Sequence, residues 1–319
     1  MLKTMNINDY REDFAAWCKD CVMITDKESG ARVPFALNAP QRRVAGILER
    51  QRREGRPIRL IMLKARQWGG STLVQIYMAW MQLVRHTGWN SVICSHVKDA
   101  SAIIRGMYSD LLRFYPDGMK TDGKPRDWAF APYEKSPNIN YIAARDCRVA
   151  IGSSFAPNAV RGGNYQMAHL SEVAFWGDGE QDAAEMIVRS VAGSITLAPE
   201  TLVVMESTAD GEDNYFHTEW ERAVRGESDK EAVFVPWYEI EIYRKPLDEA
   251  GLRRLMTEMD DYERQLLKRE GVTAEAVAWY HDKRREYTRH EQMMAEYPST
   301  PDEAFLRSGG EALDPAWFF

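Results

Sequence analysis

Apolar residues fall along this chain in two alternating rhythms. Largely apolar runs of strand length stand at 58–63, 91–95, 165–170, 201–206 and 232–235, with shorter extended runs at 32–37, 139–143 and 149–152. Such runs suit strands buried on both faces. Between them lie segments whose apolar positions recur every three or four residues, as an amphipathic helix requires. These are 7–22, 41–53 (Val44, Ile47 and Leu48 on one face), 73–85, 100–114 and 183–191. Strands alternating with helices predict an α/β fold built on a mostly parallel sheet flanked by helices. A Pro- and Gly-rich excursion at 116–137 and a segment at 153–164 read as loops. Past Pro236 the strand rhythm stops. Residues 239–296 are charged and helix-periodic, with Leu252, Leu255, Met256 and Met259 on one face and Ala276, Trp279 and Tyr280 on another. The pattern divides the chain into an α/β core at 1–235 and a small, mainly helical subdomain at 236–305.

Ligands on parallel sheets bind where strands end, and three polar clusters follow predicted strands. The first is Lys64-Ala65-Arg66-Gln67-Trp68-Gly69-Gly70-Ser71-Thr72, between strand 58–63 and helix 73–85. Strand, glycine turn, Ser-Thr and helix is the layout of a phosphate-binding loop, which aims backbone N–H groups at an anion. The usual pattern has lysine directly after the last glycine. Here Gly70 holds that slot and the lysine is Lys64, at the mouth of the loop, so either Lys64 reaches the phosphates or the site is broken. The second cluster is Ser171-Glu172 after strand 165–170. The third is Ser207-Thr208-Ala209-Asp210-Gly211 after strand 201–206, where Glu206 is unusual at a buried strand end and calls for a partner.

Phosphoryl transfer to water needs phosphates held, charge neutralised, a metal placed and a water aligned. Lys64 and Arg66 can neutralise charge. Gly69 and Gly70, with Gln67 and Trp68 before them, let the backbone approach. Ser71 or Thr72 can set a hydroxyl on Mg²⁺, and Glu172 can polarise the attacking water. Ser207 and Thr208 can sense the γ-phosphate. Arg161, between Val160 and Gly162-Gly163, suits a mobile finger that donates charge to a transition state. Gln41, one helix upstream, can pair with an adenine edge.

The chain has 319 residues and a net charge of −7, which argues against a coat of nucleic acid over the whole surface but not against a local basic patch. Arg42, Arg43, Arg50, Arg52, Arg53, Arg56, Arg59, Lys64 and Arg66 form a basic run that reads either as a solvated face or as a surface for phosphates. Cys18 and Cys21 lack the second pair that zinc needs, and Cys94 and Cys147 stand alone, so all four cysteines read as reduced thiols. No run approaches the roughly 20 apolar residues of a membrane span, and residues 1–11 lack a signal core. A cytosolic protein is expected.

Taken in order, these elements resemble the large terminase subunit of tailed double-stranded DNA bacteriophages. The resemblance is carried by Leu37-Asn38-Ala39-Pro40-Gln41, the 64–72 loop, Cys94-Ser95-His96, Asn158-Ala159-Val160-Arg161-Gly162, His169-Leu170-Ser171-Glu172-Val173-Ala174-Phe175-Trp176, Glu206-Ser207-Thr208-Ala209-Asp210-Gly211, Glu296-Tyr297-Pro298 and Glu303-Ala304-Phe305. It implies a P-loop NTPase of the additional-strand, catalytic-glutamate (ASCE) type, with 236–305 as a lid. The implied activity is ATP hydrolysis that drives duplex DNA into a procapsid. ATP and Mg²⁺ are the implied cofactors. Double-stranded DNA, a portal protein, a small terminase subunit and a homo-oligomeric ring are the implied partners, in the host cytoplasm. Gln41 resembles the adenine contact, Arg66 the loop arginine, Ser71 and Thr72 the metal and phosphate hydroxyls, Glu172 the catalytic carboxylate, Ser207 to Gly211 the coupling motif and Arg161 the arginine that acts on a neighbour's ATP. Some terminases carry the working lysine where Lys64 stands. Ser171 holds the place of the usual metal-shell aspartate, so the metal is expected on Ser71, Glu172, Ser171 and waters. Residues 306–319 resemble the start of a linker, and no nuclease centre is expected in this fragment. Two other readings stay open: a helicase-like translocase, and a nucleotide-binding assembly scaffold with a degenerate, non-catalytic site.

Overall fold

Asp13 breaks the helix expected over 7–22. The computed structural model describes residues 6–26, 29–96, 100–120, 123–133, 136–153, 164–179 and 181–306. A short helical turn, Ile7–Tyr10, comes first, and α1 (Phe14–Cys21) starts after Asp13, whose carboxylate accepts the Ala16 N–H at 2.9 Å as an N-cap. β1 (Met23–Thr25) and β2 (Arg32–Pro34) pair antiparallel as a separate ribbon. α2 (Ala39–Arg53) begins two residues ahead of the expected start, because Pro40 in a first helical turn gives up an N–H that has no partner there anyway. β3 (Ile58–Lys64), α3 (Gly70–Trp80), β4 (Ser91–Ser95), α4 (Ala100–Arg113), β5 (Ala131–Tyr133), β6 (Ser136–Ile142), β7 (Cys147–Ser153) and β8 (Met167–Ser171) follow. Then come α5 (Gln181–Ala192), β9 (Leu202–Ser207), α6 (Tyr215–Val224) and β10 (Glu231–Val235). The expected helix 73–85 is α3 plus a widened turn over Met81–Arg85, where the His86 N–H reaches back five residues to the Met81 carbonyl at 2.8 Å.

The eight-stranded sheet runs β10-β3-β9-β8-β4-β7-β6-β5. It is mostly parallel. β4 pairs in parallel with both β7 and β8, and its last residue, Ser95, stands opposite Ser153 on one side and Ser171 on the other. β6 and β5 finish one edge antiparallel. β5 was not expected inside the 116–137 excursion. Pro132 hides it in the sequence, and the ladder shifts register between Pro132 and Tyr133, as an edge strand tolerates. Every residue of β3, β4, β8 and β9 is buried, which is why these strands read as largely apolar runs without alternation, broken only by single polar residues such as Arg59 and His169.

The chain divides into two compact units. The first holds residues 1–37, 41–60 and 69–205. Its aromatic core joins Phe14, Trp17, Tyr77 and Trp80, with ring centroids of Phe14 and Tyr77 4.9 Å apart, and the Trp17 indole donates to the Tyr115 hydroxyl at 3.2 Å. The second holds 38–40, 61–68 and 206–319. Its described helices are α6 and then α7 (Glu249–Glu258), α8 (Asp261–Leu266), α9 (Ala274–Arg284), α10 (His290–Glu296) and α11 (Pro301–Ala304). Trp237 anchors it, stacking on Trp279 and Tyr280 and donating to the Ser299 hydroxyl at 2.9 Å. Four cysteines are free and buried, and burial pushes the Cys94 thiol up to about 12 and Cys147 up to about 11.

Candidate active site

The 64–72 segment leaves β3 at Lys64 and enters α3 at Gly70. Two of its residues take left-handed backbone, Gln67 (φ 56°) and Gly69 (φ 82°). Gly69 is the helix N-cap and has no side chain of its own to cover the first turn of α3. That is the arrangement a phosphate needs. Gln41 lies against the turn, its amide donating to the Gly69 carbonyl at 3.3 Å, and a Cβ on Gly69 would come 2.7 Å from the Gln41 Nε2. The Asn38 amide donates to the Trp68 carbonyl at 3.3 Å. Ser71 and Thr72 are half-buried in the first turn of α3, and Trp68 is buried.

Lys64 does not point into water. Its Nζ lies 3.0 Å from Glu206 Oε2, with the two side chains 6% and 0% exposed. This answers the oddity of Glu206 at a buried strand end. A pair so enclosed is strongly coupled, since breaking a buried ion pair by removing one partner typically costs about 3–5 kcal/mol. Arg66 is exposed and lies 2.8 Å from Glu296, and this hydrogen bond pushes the guanidinium further up from its already high value.

Glu172 follows β8 directly, half-buried, with a left-handed φ of 57°. A non-glycine residue held there stores backbone strain, which clusters at functional positions. The Ser171 carbonyl ahead of it accepts the Trp176 indole N–H at 3.1 Å, fixing the strand end, and Phe175 packs on the His96 ring at 5.9 Å. After β9, Ser207 and Thr208 are buried and Asp210 is exposed. Asn214 ties this turn to α6. Its amide donates to the carbonyls of Asp210 (3.1 Å) and Gly211 (2.9 Å), while its oxygen caps the helix at His217 N.

The structure thus brings together Gln41 with Gly69, and Lys64 with Glu206. Arg161 lies outside the described residues. Asn214 and Tyr243, whose hydroxyl donates to the Arg66 carbonyl, were not singled out by the sequence, and Glu296 was named there only for the resemblance. An Asn directly before a helical run is a capping signal that could have drawn attention to Asn214. The basic run splits. Arg52 and Arg59 are internal: Arg52 is held by Glu49 at 2.9 Å and Glu12 at 2.8 Å, and Arg59 donates to the Thr201 carbonyl at 2.8 Å. Arg42, Arg43, Arg50, Arg53 and Arg56 are exposed.

Among the described residues no group of three His, Cys, Asp or Glu side chains could hold a metal by itself, and no helix is long and apolar enough to cross a membrane. A metal here would share its shell with phosphate and water, as Mg²⁺ does.

A strand–loop–helix of this form in a mostly parallel, helix-flanked sheet defines the P-loop α/β fold. Within that class the fold is that of a phage large terminase. The crystal structure of the HK97 bacteriophage large terminase matches 90% of this chain at a TM-score of 0.60 and 13% identity. The chain spans 54% of that protein's length. The large terminase ATPase domain of Thermus phage P74-26 is also similar, over 64% of this chain and 84% of that one, at a TM-score of 0.41 and 17% identity. So is the large terminase of a thermophilic bacteriophage in complex with ADP, over 70% of this chain and 51% of that one, at a TM-score of 0.44 and 12% identity. No family model matches the sequence, and no curated protein matches it.

Proposed function

We propose that this chain is the ATP-hydrolysing motor part of a viral terminase, moving double-stranded DNA into a procapsid. The observation that carries the reading is the left-handed glycine, Gly69, at the N-cap of α3, with Gln41 on the same turn, in a large-terminase fold. In this reading Gln41 takes the adenine edge, and the backbone from Gln67 to Gly70 with Ser71 and Thr72 cradles the phosphates. Lys64 and Arg66 neutralise their charge. Mg²⁺, when bound beside Ser71, Glu172 and Ser171, supplies neutralisation of the charge on the β- and γ-phosphates. Glu172 accepts the proton of the attacking water as the new P–O bond forms and the bond from the γ-phosphorus to the bridging oxygen breaks, releasing ADP and phosphate. Ser207 and Thr208 register the loss of the γ-phosphate, and Arg161 acts on a neighbouring subunit's ATP within a homo-oligomeric ring. Residues 1–235 form the ATPase core, 236–305 the lid and 306–319 the start of a linker. A portal protein and a small terminase subunit complete the machine in the host cytoplasm.

The test is steady-state ATP turnover with no DNA, with duplex and with single strands. Turnover raised by duplex supports a packaging motor. Activation by single strands alone points to a helicase-like translocase instead. No binding of an ATP analogue at millimolar concentration by calorimetry sinks every motor reading.

A further inference from the structure

We propose that Glu206 is the positioning residue for Lys64, holding the displaced lysine of the loop in one place throughout the catalytic cycle. The inference rests on the phosphate-loop reading and adds to it a residue to which that reading gives no role. A lysine in the usual slot is fixed by the backbone of the loop around it. Lys64 instead stands at the end of β3, on a flexible four-carbon stem that would sample many rotamers. The contact with Glu206 restricts that freedom. Glu206 stands near the end of β9, the strand next to β3, and its Oε2 meets the Lys64 Nζ at 3.0 Å where neither side chain is open to solvent.

The chemistry of the pair decides what happens when phosphate arrives. An ammonium has three N–H donors, so one group can serve a carboxylate and a phosphate oxygen together. Glu206 is fully enclosed, and taking its cation away would cost it a charge partner where water does not reach. Lys64 is therefore shared between Glu206 and the nucleotide rather than exchanged. Glu206 also directly precedes Ser207-Thr208, both buried. A lysine shared in this way transmits any shift of the γ-phosphate to the turn that leads into α6.

The experiment compares ATP turnover and thermal unfolding for the full chain and for Lys64→Ala, Glu206→Gln and the double variant. Glu206→Gln keeps the shape and removes the charge. It is expected to lower kcat by roughly tenfold or more while KM moves by less than about threefold. Because Glu206 acts through Lys64, the double variant should be no slower than Lys64→Ala alone. Losses that multiply in the double variant, or wild-type kcat in Glu206→Gln, overturn the proposal. If Glu206→Gln does not fold, Glu206→Asp serves, since it keeps the charge but draws it back by one methylene. The same loss of kcat is expected, and wild-type kcat overturns the assignment. A wild-type chain with no turnover at all refutes the underlying ATPase reading, and the Glu206 assignment falls with it. That outcome is distinct from an active wild type with an indifferent Glu206 variant.

Discussion

Arg66 and Glu296 meet twice. The Arg66 guanidinium lies 2.8 Å from the Glu296 carboxylate, and the Arg66 N–H donates to the Glu296 carbonyl at 3.0 Å. Tyr287 donates its hydroxyl to the same carboxylate. A loop arginine is thus held by the last residue of α10, 230 positions away in the chain. The side chains are 47% and 30% exposed, and ion pairs that wet are worth only about 0–1 kcal/mol. A polyphosphate offers a guanidinium stronger, forked bonds. Glu296→Gln is therefore expected to tighten binding of an ATP analogue by up to about fivefold. Titration of a fluorescent analogue checks this, and weaker binding in the variant would show that Glu296 orients Arg66 instead of competing for it.

Gly69 is required by its backbone. Gly69→Ala forces an L side chain to φ 82° and crowds the Gln41 amide. A cost of about 1–2 kcal/mol in unfolding free energy is expected, with loss of nucleotide binding because the turn can no longer present the start of α3. An alanine variant with wild-type stability and affinity would remove Gly69 from the cradle.

Glu303 makes the stability of the second unit depend on pH. Burial raises its carboxyl from 4.5 to about 7, partly offset by hydrogen bonds from the Ser299 N–H and the Tyr262 hydroxyl. The folded chain holds this proton more tightly than the unfolded one. The stability it contributes is fully present below about pH 4.5 and is lost as pH rises through about 7. His290, pushed down to about 4 by burial first and then by Arg284, works in the opposite sense, losing stability as pH falls from 6.5 towards 4. The difference between wild type and Glu303→Gln isolates Glu303. In denaturant unfolding across this window, wild type should lose stability relative to the variant as pH rises, and parallel curves would contradict the assignment.

The exposed arginines of α2 are candidates for gripping duplex phosphates. Counting from Arg42, the positions Arg43, Gly46, Arg50 and Arg53 recur on one arc of the helix, and nothing lies within 4 Å of a Cβ built on Gly46. Arg43→Glu with Arg50→Glu is expected to weaken duplex binding about tenfold or more and to flatten the salt dependence of binding by about two phosphate contacts. Fluorescence anisotropy over a salt series measures both. An unchanged slope assigns this face to solvent.

How much of this was legible depended on distance in the chain. Strands buried on both faces announce themselves as largely apolar runs, so β3, β4, β8 and β9 were read within a residue or two. The turn between β3 and α3 was legible as a turn because its signal is local: Gly69 and Gly70 followed by Ser71 and Thr72. β5 was not, since an edge strand with Pro132 lacks the alternation that marks a half-buried strand. Glu206 stood out as a carboxylate in an apolar run, but Lys64 as its partner belongs to the strand pairing and not to any spacing. Glu296 as the partner of Arg66 was hidden for the same reason. Arg52 and Arg59 looked like surface charges because their neighbours in sequence are charged, whereas Glu12 and the Thr201 carbonyl that receive them are remote.

The most direct test of the account is ATP turnover by Glu172→Gln beside wild type, with an analogue titration on the same samples. Glu172 directly follows β8 with a left-handed backbone, and in the proposed function it takes the proton of the attacking water. The variant is expected to bind nucleotide within about threefold of wild type and to lose turnover by roughly a hundredfold or more, with duplex DNA present or absent. Turnover within a few-fold of wild type in Glu172→Gln would contradict the account.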